Sequence, residues 1–447
     1  MSRSVRRRDV LRGIGAAGIV GLAGCAGGDG GTPTATATET ETDGGTPTPT
    51  ETDAGTATTT AGDGMAEGRD LMLGMLMGVT GGLEDLGPAI RDAAALVPDQ
   101  VNDADTPFSV DSQFEDTATS PSQGVSGGEA LVNAGYPMIC GALGSEVSLQ
   151  VATNVAIPAS VTMCSPASTA PDFTTLDDND LFFRTPPTDA LQGAVLAQVA
   201  AERLGHDTAS TLYLNNAYGN GLSQGFVDAF ESEYGGTVTA QVSFSSGQGS
   251  YTSQLQSALQ GDPGTMLIVG YPGSGVQMFR DFYSNFDRGD MDVLVSDGLQ
   301  SGTLPGNVGY DMANVTGTAP SGEGPGLEFF QTTFEEAYGT EAAGQPFVRQ
   351  SYDAAAVLVL ANAAAGENDG IAVRDQMRPV TDPGGTEITP SNLVEGIEMA
   401  AAGEEINYQG VSGPVAFDEN GDLASAAYVY FGYTSDGGQE TLDTITP

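Results

Sequence analysis

Residues 137–169 read PMICGALGSEVSLQVATNVAIPASVTMCSPAST. Two apolar runs, Pro137–Cys140 and Ile157–Cys164, flank a helical stretch over Glu146–Thr153. Strands that are continuously apolar are buried on both faces, and a helix between them makes the pair parallel. The same rhythm extends in both directions. Leu71–Val79 reads as a strand followed by a helix to about Val97, and Phe108–Phe114 as a strand followed by a helix over Gly128–Ala134. Strands at Ser210–Leu214, Thr237–Phe244, Thr265–Gly270 and Asp292–Ser296 alternate with helices at Gly219–Tyr234, Ser250–Gln260 and Val276–Phe286. That many strand–helix units exceed one comfortable sheet, so the expected fold is α/β, with two doubly wound Rossmann-like lobes and a ligand cleft between them.

Several of these strands end alike. Val79 runs into TGGLEDLG, Cys140 into GALGS, Cys164 into SPAST, Leu214 into NNAYGNG and Ser296 into DGLQSG. In open α/β sheets ligands bind beyond the carboxyl ends of the strands. Glycine lets backbone N–H groups approach a ligand, and a following helix N-terminus favours an anion. One such loop is ordinary turn chemistry; their recurrence on both expected lobes points to a binding cleft.

The chain has 447 residues with 14 Arg, no Lys and 59 Asp or Glu, a formal charge of −45. Five Arg lie in the first 12 residues, so the chain beyond residue 24 carries nine Arg against 58 acids, a charge of −49. Such self-repulsion is relieved by salt, and the balance resembles that of proteins from salt-loving archaea. It argues against nucleic acid or an anionic membrane surface as partner, because both require a basic face.

The N-terminus reads as an address. Arg6, Arg7 and Arg8 before Asp9-Val10-Leu11 resemble a twin-arginine export signal, and the apolar run Gly13–Gly24 is too short to span a bilayer. It ends in Leu22-Ala23-Gly24-Cys25, which resembles a lipobox and implies lipidation of Cys25. Residues 25–65 are a Thr-, Gly- and Glu-rich tether whose composition cannot support a core. Beyond it, Cys140 and Cys164 sit on the two strands of the opening stretch. They are either bridged, which export favours, or two buried thiols.

Enzyme chemistry finds little footing. GVSGG at 124–128 places Ser126 in a G-x-S-x-G pattern, which needs a base. The only His, His206, lies in a connector, and without Lys there is no Ser–Lys alternative. No dinucleotide fingerprint and no His/Cys cluster suggests a cofactor or a metal.

Taken together, GVTGGLEDLG, EDTATSPSQGVSGGEALVNAG, GALGSEVSLQVATN, SPASTAPDFT, LFFRTPPTDALQGAVLA, NNAYGNGLSQGF, YTSQLQSALQGDPGTMLIVGYPG, SYDAAAVLVLA and GPVAFDENGDLA occur in an order that resembles the type I periplasmic binding proteins of ABC transporters, in the branched-chain (Leu/Ile/Val) amino acid group. The resemblance covers roughly residues 70–435. It implies an N-terminal lobe of 66–187 plus 318–412, a C-terminal lobe of 188–317 plus 413–447, and three crossovers. It also implies roles. Ser145 and Thr169 donate hydroxyls to a ligand α-carboxylate, flanked by backbone groups of Ala167 and Ser168. Tyr218 closes over the ligand and Asp297 takes the α-ammonium. Tyr271 is a further cleft residue, and Leu86 stands where relatives often place an aromatic ring.

This arrangement is chemically sensible for a zwitterion, which needs donors at one end and an acceptor at the other if it is to be desolvated. Asp353, in SYDAAA, is a second candidate acceptor or an acid at a helix start. The implied function is capture of an amino acid-like ligand by cleft closure at the extracellular face of the membrane. Delivery to permease and ATPase subunits follows. Presentation to a membrane transducer, and an amide, urea or aromatic-acid ligand, are the alternatives. Asn314 begins an N-glycosylation sequon.

Overall fold

The computed structural model describes residues 68–287, 291–339, 345–424 and 426–447, all within the compact unit Asp63–Pro447. The export signal, Cys25 and the tether lie outside the described residues. Five strands, β1 (Asp70–Met77), β2 (Ser109–Asp116), β3 (Met138–Gly141), β4 (Thr162–Ser165) and β5 (Phe182–Arg184), form an all-parallel sheet in the order β2-β1-β3-β4-β5. A second sheet follows the order β14-β13-β10-β9-β8-β6-β7. It is built from β6 (Thr208–Leu214), β7 (Thr237–Phe244), β8 (Thr265–Val269), β9 (Asp292–Val295), β10 (Val315–Ser321), β13 (Ala427–Tyr433) and β14 (Gln439–Ile445). Its β13 and β14 are antiparallel; the other strands are parallel. A short parallel pair, β11 (Thr386–Ile388) and β12 (Ile406–Tyr408), lies apart.

Central strands are apolar throughout because helices cover both faces: all five residues of β8, TMLIV, are buried. The helix Val348–Ala365 carries AAAVLVLA and is buried almost along its whole length. It packs on β1, β3 and β4, although it follows the strands of the other sheet in sequence. The chain therefore returns to the first lobe after β10. That strand stays in the seven-stranded sheet through Ser321, and the sequence-based crossover at 318 falls inside it.

The strand expected from Ile157 begins only at Thr162. The helix that starts at Ser145 continues through wider turns at Ala152–Ala156 to Ala159, and Ser160 ends it in the left-handed conformation. Val151, Ala152, Val155 and Ala156 fall on one helical face and are buried, whereas Ile157–Ala159, which close the helix, are half-buried or exposed, so this part of the apolar run is a helix end and not a buried strand. The register sets Cys140 directly opposite Cys164, yet both are free buried thiols, so the bridged alternative is wrong. Residues paired across a sheet stand ~4.8 Å apart and project side by side, whereas a disulfide needs Cβ atoms converging to ~3.8 Å. Burial pushes both thiols up in pKa and leaves them unreactive.

Candidate functional site

The loops after the carboxyl ends of β1, β3, β4, β6, β8 and β9 converge between the two sheets. They meet around a small cavity, about 20 Å³, lined by Leu86, Ser145, Ala167, Tyr218, Tyr271 and Asp297, with Leu83, Ile90, Leu143, Gly298 and Phe347 filling the remaining wall. Six of the eight residues expected from sequence thus share one cavity; Ser168 and Thr169 stand behind it. A wider groove near Arg378 and Phe417 offers less, because Arg378 is committed to both oxygens of Asp180 at 2.6 and 2.8 Å.

The first lobe supplies donors. Gly141, at φ 142° and with Leu76 O against the place a Cβ would occupy, turns β3 into the loop that presents Ser145. Gly144 takes the cap position of the following helix, and the Ser145 oxygen accepts from Thr169 N (3.2 Å) and Ala170 N (3.3 Å). That oxygen ties the two loops together and leaves the hydroxyl proton free to be donated. Thr169 Oγ1 is buried and has no hydrogen-bond partner.

The neighbouring hydroxyls face inward. Ser165 Oγ donates to Ala142 O (2.7 Å) and accepts from Ala167 N (3.3 Å) and Ser168 N (3.0 Å). Ser168 Oγ pairs with Ser148 Oγ at 2.6 Å. The backbone N–H groups expected to flank a carboxylate are therefore engaged in shaping the loop. Behind them the fully buried Arg184 donates to Ala170 O (2.7 Å), Thr174 Oγ1 (2.9 Å) and Asp422 Oδ1 (2.5 Å), which fixes the loop from its far side.

The second lobe supplies acceptors and an aromatic wall. Tyr218 and Tyr271 stack with centroids 5.5 Å apart. Tyr218 Oη donates to Ser296 Oγ (2.7 Å), lies 3.2 Å from Asp297 Oδ1 and accepts from Gly298 N (3.3 Å). A Cβ at Gly298 would meet Gly270 O at 2.4 Å and Tyr218 Oη at 3.0 Å, so glycine is what lets this turn approach. Burial pushes the Asp297 carboxyl up to about 6, against the opposing pull of hydrogen bonds from Gln192 and Tyr218. The two lobes also touch outside the cavity, where Ala217 N donates to Glu146 Oε2 across the cleft at 3.2 Å.

Two residues at the site escaped the sequence reading. Asp189 opens the helix Asp189–Gln198 behind its capping residue Thr188. It is wholly buried and neither carboxylate oxygen has a hydrogen-bond partner. In TPPTDALQG it looks like ordinary helix-start chemistry, so nothing marked it out. Phe347 precedes the helix Val348–Ala365 with φ 64°, a strained conformation for a bulky residue. It puts a ring in the wall of the cavity to which Leu86 brings none.

Asp353 is corrected. Its oxygens accept from Tyr408 Oη (2.8 Å), Val411 N (2.7 Å), Ser412 N (2.8 Å) and Ser412 Oγ (2.6 Å). It lies beyond the first turn of its helix and clasps the segment Tyr408–Ser412, so it has no capacity left for a ligand. Asn314 holds Tyr283 Oη (2.7 Å) and Met291 O (2.6 Å) through its amide, which leaves that nitrogen unavailable to a glycan. Ser126 is exposed and donates to Ser122 O within its own helix, while His206 pairs with Asp292 at 2.8 Å. The two never meet as nucleophile and base.

The periplasmic binding protein family model matches residues 71–438. A chemotactic signal transduction substrate-binding protein, BasB of Halobacterium salinarum, is 28% identical over 294 residues, 63% of this chain and 66% of its own length. A leucine-, isoleucine-, valine-, threonine- and alanine-binding protein of Pseudomonas aeruginosa is 31% identical over 147 residues, 32% of this chain and 39% of its own. The chain thus spans just under two thirds of the first curated relative and well under half of the second. Among solved structures, the leucine-binding protein LivK of Thermotoga maritima aligns with TM-score 0.70 at 23% identity, over 84% of this chain and 99% of its own. A benzoate-bound solute-binding protein of R. palustris aligns with TM-score 0.65 at 17% identity, over 85% and 97%. The chain belongs to the periplasmic binding protein family, with the two-lobed type I fold of its branched-chain amino acid-binding members.

Proposed function

We propose that the cleft binds an amino acid zwitterion with an aliphatic side chain and that closure of the lobes buries it for delivery to a membrane permease. The observation that carries this reading is the division of the cavity. Ser145 on the first lobe and Asp297 on the second line it together with Leu83, Leu86, Ile90, Leu143 and Phe347, and the adjoining Thr169 and Asp189 keep buried polar atoms without partners beside it. A carboxylate fits the donors, an ammonium fits the acids, and the apolar wall fits Leu, Ile or Val. Catalysis has no part in this, and a lipid on Cys25 holds the domain at the extracellular face.

Presentation to a transducer is the second reading, favoured by the similarity to BasB, a chemotaxis component. A thermal-shift panel in molar KCl tests the ligand class, since anything binding only the folded state raises the melting point. Leucine, isoleucine or valine shifts it on this account. A shift with benzoates or amides and none with amino acids removes the zwitterion reading while leaving solute binding intact.

A further inference from the structure

The buried polar atoms of the cleft do not balance. Among the described residues six buried side-chain oxygens lack a hydrogen-bond partner. Four of them are Thr169 Oγ1, both oxygens of Asp189 and Gln192 Oε1. These side chains adjoin one another. Thr169 N–H is tied to Ser145. Asp189 N donates to Thr169 O at 2.8 Å, and Gln192 lies one turn on from Asp189 and against Asp297.

The charges facing Asp189 offer it no counterion. Asp297 after β9 and Asp172 in the turn Pro171–Thr175 are acids and oppose its ionisation. Arg184 on β5 favours ionisation, but its donors are spent on Ala170 O, Thr174 and Asp422. Tyr218, Tyr271 and Tyr428 also face it, and burial keeps all three neutral. Thr169 is near enough to favour the carboxylate, yet makes no hydrogen bond of normal geometry with it. Two buried carboxyls that oppose each other's ionisation without a cation do not both ionise, so one of them keeps its proton.

We propose that this cleft takes its ligand by cation-for-proton exchange: Asp189 is protonated in the empty protein, and an arriving ammonium displaces that proton to solvent and leaves Asp189 and Asp297 both ionised around it. The proposal rests on the amino-acid reading above. It makes the acid pair a filter, because an aromatic or aliphatic acid without an amino group brings nothing to replace the proton. It also makes capture weaken as the medium acidifies.

Calorimetric titration of the protein with leucine at pH 7, in molar KCl, in two buffers of different ionisation enthalpy, counts the protons exchanged. The expected result is an observed enthalpy that differs between buffers by about one proton released per leucine, and a Kd that falls by up to about tenfold per unit of rising pH on the acid side of the transition. Asp189→Asn still binds leucine, more weakly, with the release and the pH slope gone. In the unaltered protein 4-methylpentanoate, which is leucine without its amino group, releases none. Equal enthalpies in both buffers with leucine bound overturn the exchange and leave the amino-acid reading standing. Release that survives Asp189→Asn and disappears in Asp297→Asn overturns the assignment to Asp189. No binding by any amino acid overturns both readings together.

Discussion

Asp353 and Asp189 are both wholly buried aspartates on helices, and the structure treats them in opposite ways. Four donors surround Asp353 and bind the segment Tyr408–Ser412 to the helix Val348–Ala365. At Asp189, beside the cleft, only the Thr169 hydroxyl comes near, and no hydrogen bond of normal geometry is made. A buried acid with its full set of donors is part of the frame, whereas one left without them is a cost that folding alone does not justify. Residue type and burial are the same at both positions, so only the count of partners separates structure from function.

Removing each acid sharpens the contrast. Asp353→Ala leaves Tyr408 Oη, two backbone N–H groups and Ser412 Oγ buried without an acceptor. It should lower the unfolding free energy by about 3–5 kcal/mol, read by denaturant titration in molar KCl, with ligand preference unchanged. An effect under ~1 kcal/mol would break the comparison at this end. Asp297 gives a pH signature of its own. Its carboxyl sits near 6 in the folded protein and about 4 when unfolded, so the folded state holds the proton more tightly. The empty protein therefore loses about 3 kcal/mol as pH rises through that window, and nothing further from this group above it. Comparing the stability–pH curve with that of Asp297→Asn, which should lack this slope, isolates the contribution.

Asp189→Asn should act in the reverse sense to Asp353→Ala. It removes the proton uptake that folding demands of Asp189 at neutral pH, so the empty protein gains about 1 kcal/mol or more while losing affinity for amino acids. A variant less stable and equally tight in binding would mean that Asp189 belongs to the frame after all. The smallest effect expected is none: a reductant should leave the melting point unchanged, because Cys140 and Cys164 are already free. A drop would restore the disulfide.

The two lobes were legible because their strands are unbroken apolar runs with glycine and hydroxyl endings. The limits of that reading are physical too. Ile157–Val161 looked like strand because so short an apolar stretch carries no period, whereas the structure spends Ile157–Ala159 on the half-buried to exposed end of a helix. β5, with three residues, and the antiparallel β13 and β14 lack the strand–helix rhythm that revealed the others. Loop motifs and family resemblance pointed to Ser145, Tyr218 and Asp297, which the structure brings to one cavity. Asp189 and Phe347 were not, because the missing partner of one and the strained backbone of the other exist only in three dimensions. Asp353 was misjudged for the same reason: its donors lie some sixty residues away in sequence.

The central claim is that an ammonium group is what the acid pair recognises. Parallel titrations with leucine and with 4-methylpentanoate, identical except for the amino group, test it most directly. Tight leucine binding with 4-methylpentanoate weaker by about a hundredfold or more, the value of a desolvated charge-assisted contact, is the result predicted here. Equal affinities, or preference for the plain acid, would contradict it and make Asp189 and Asp297 bystanders to recognition.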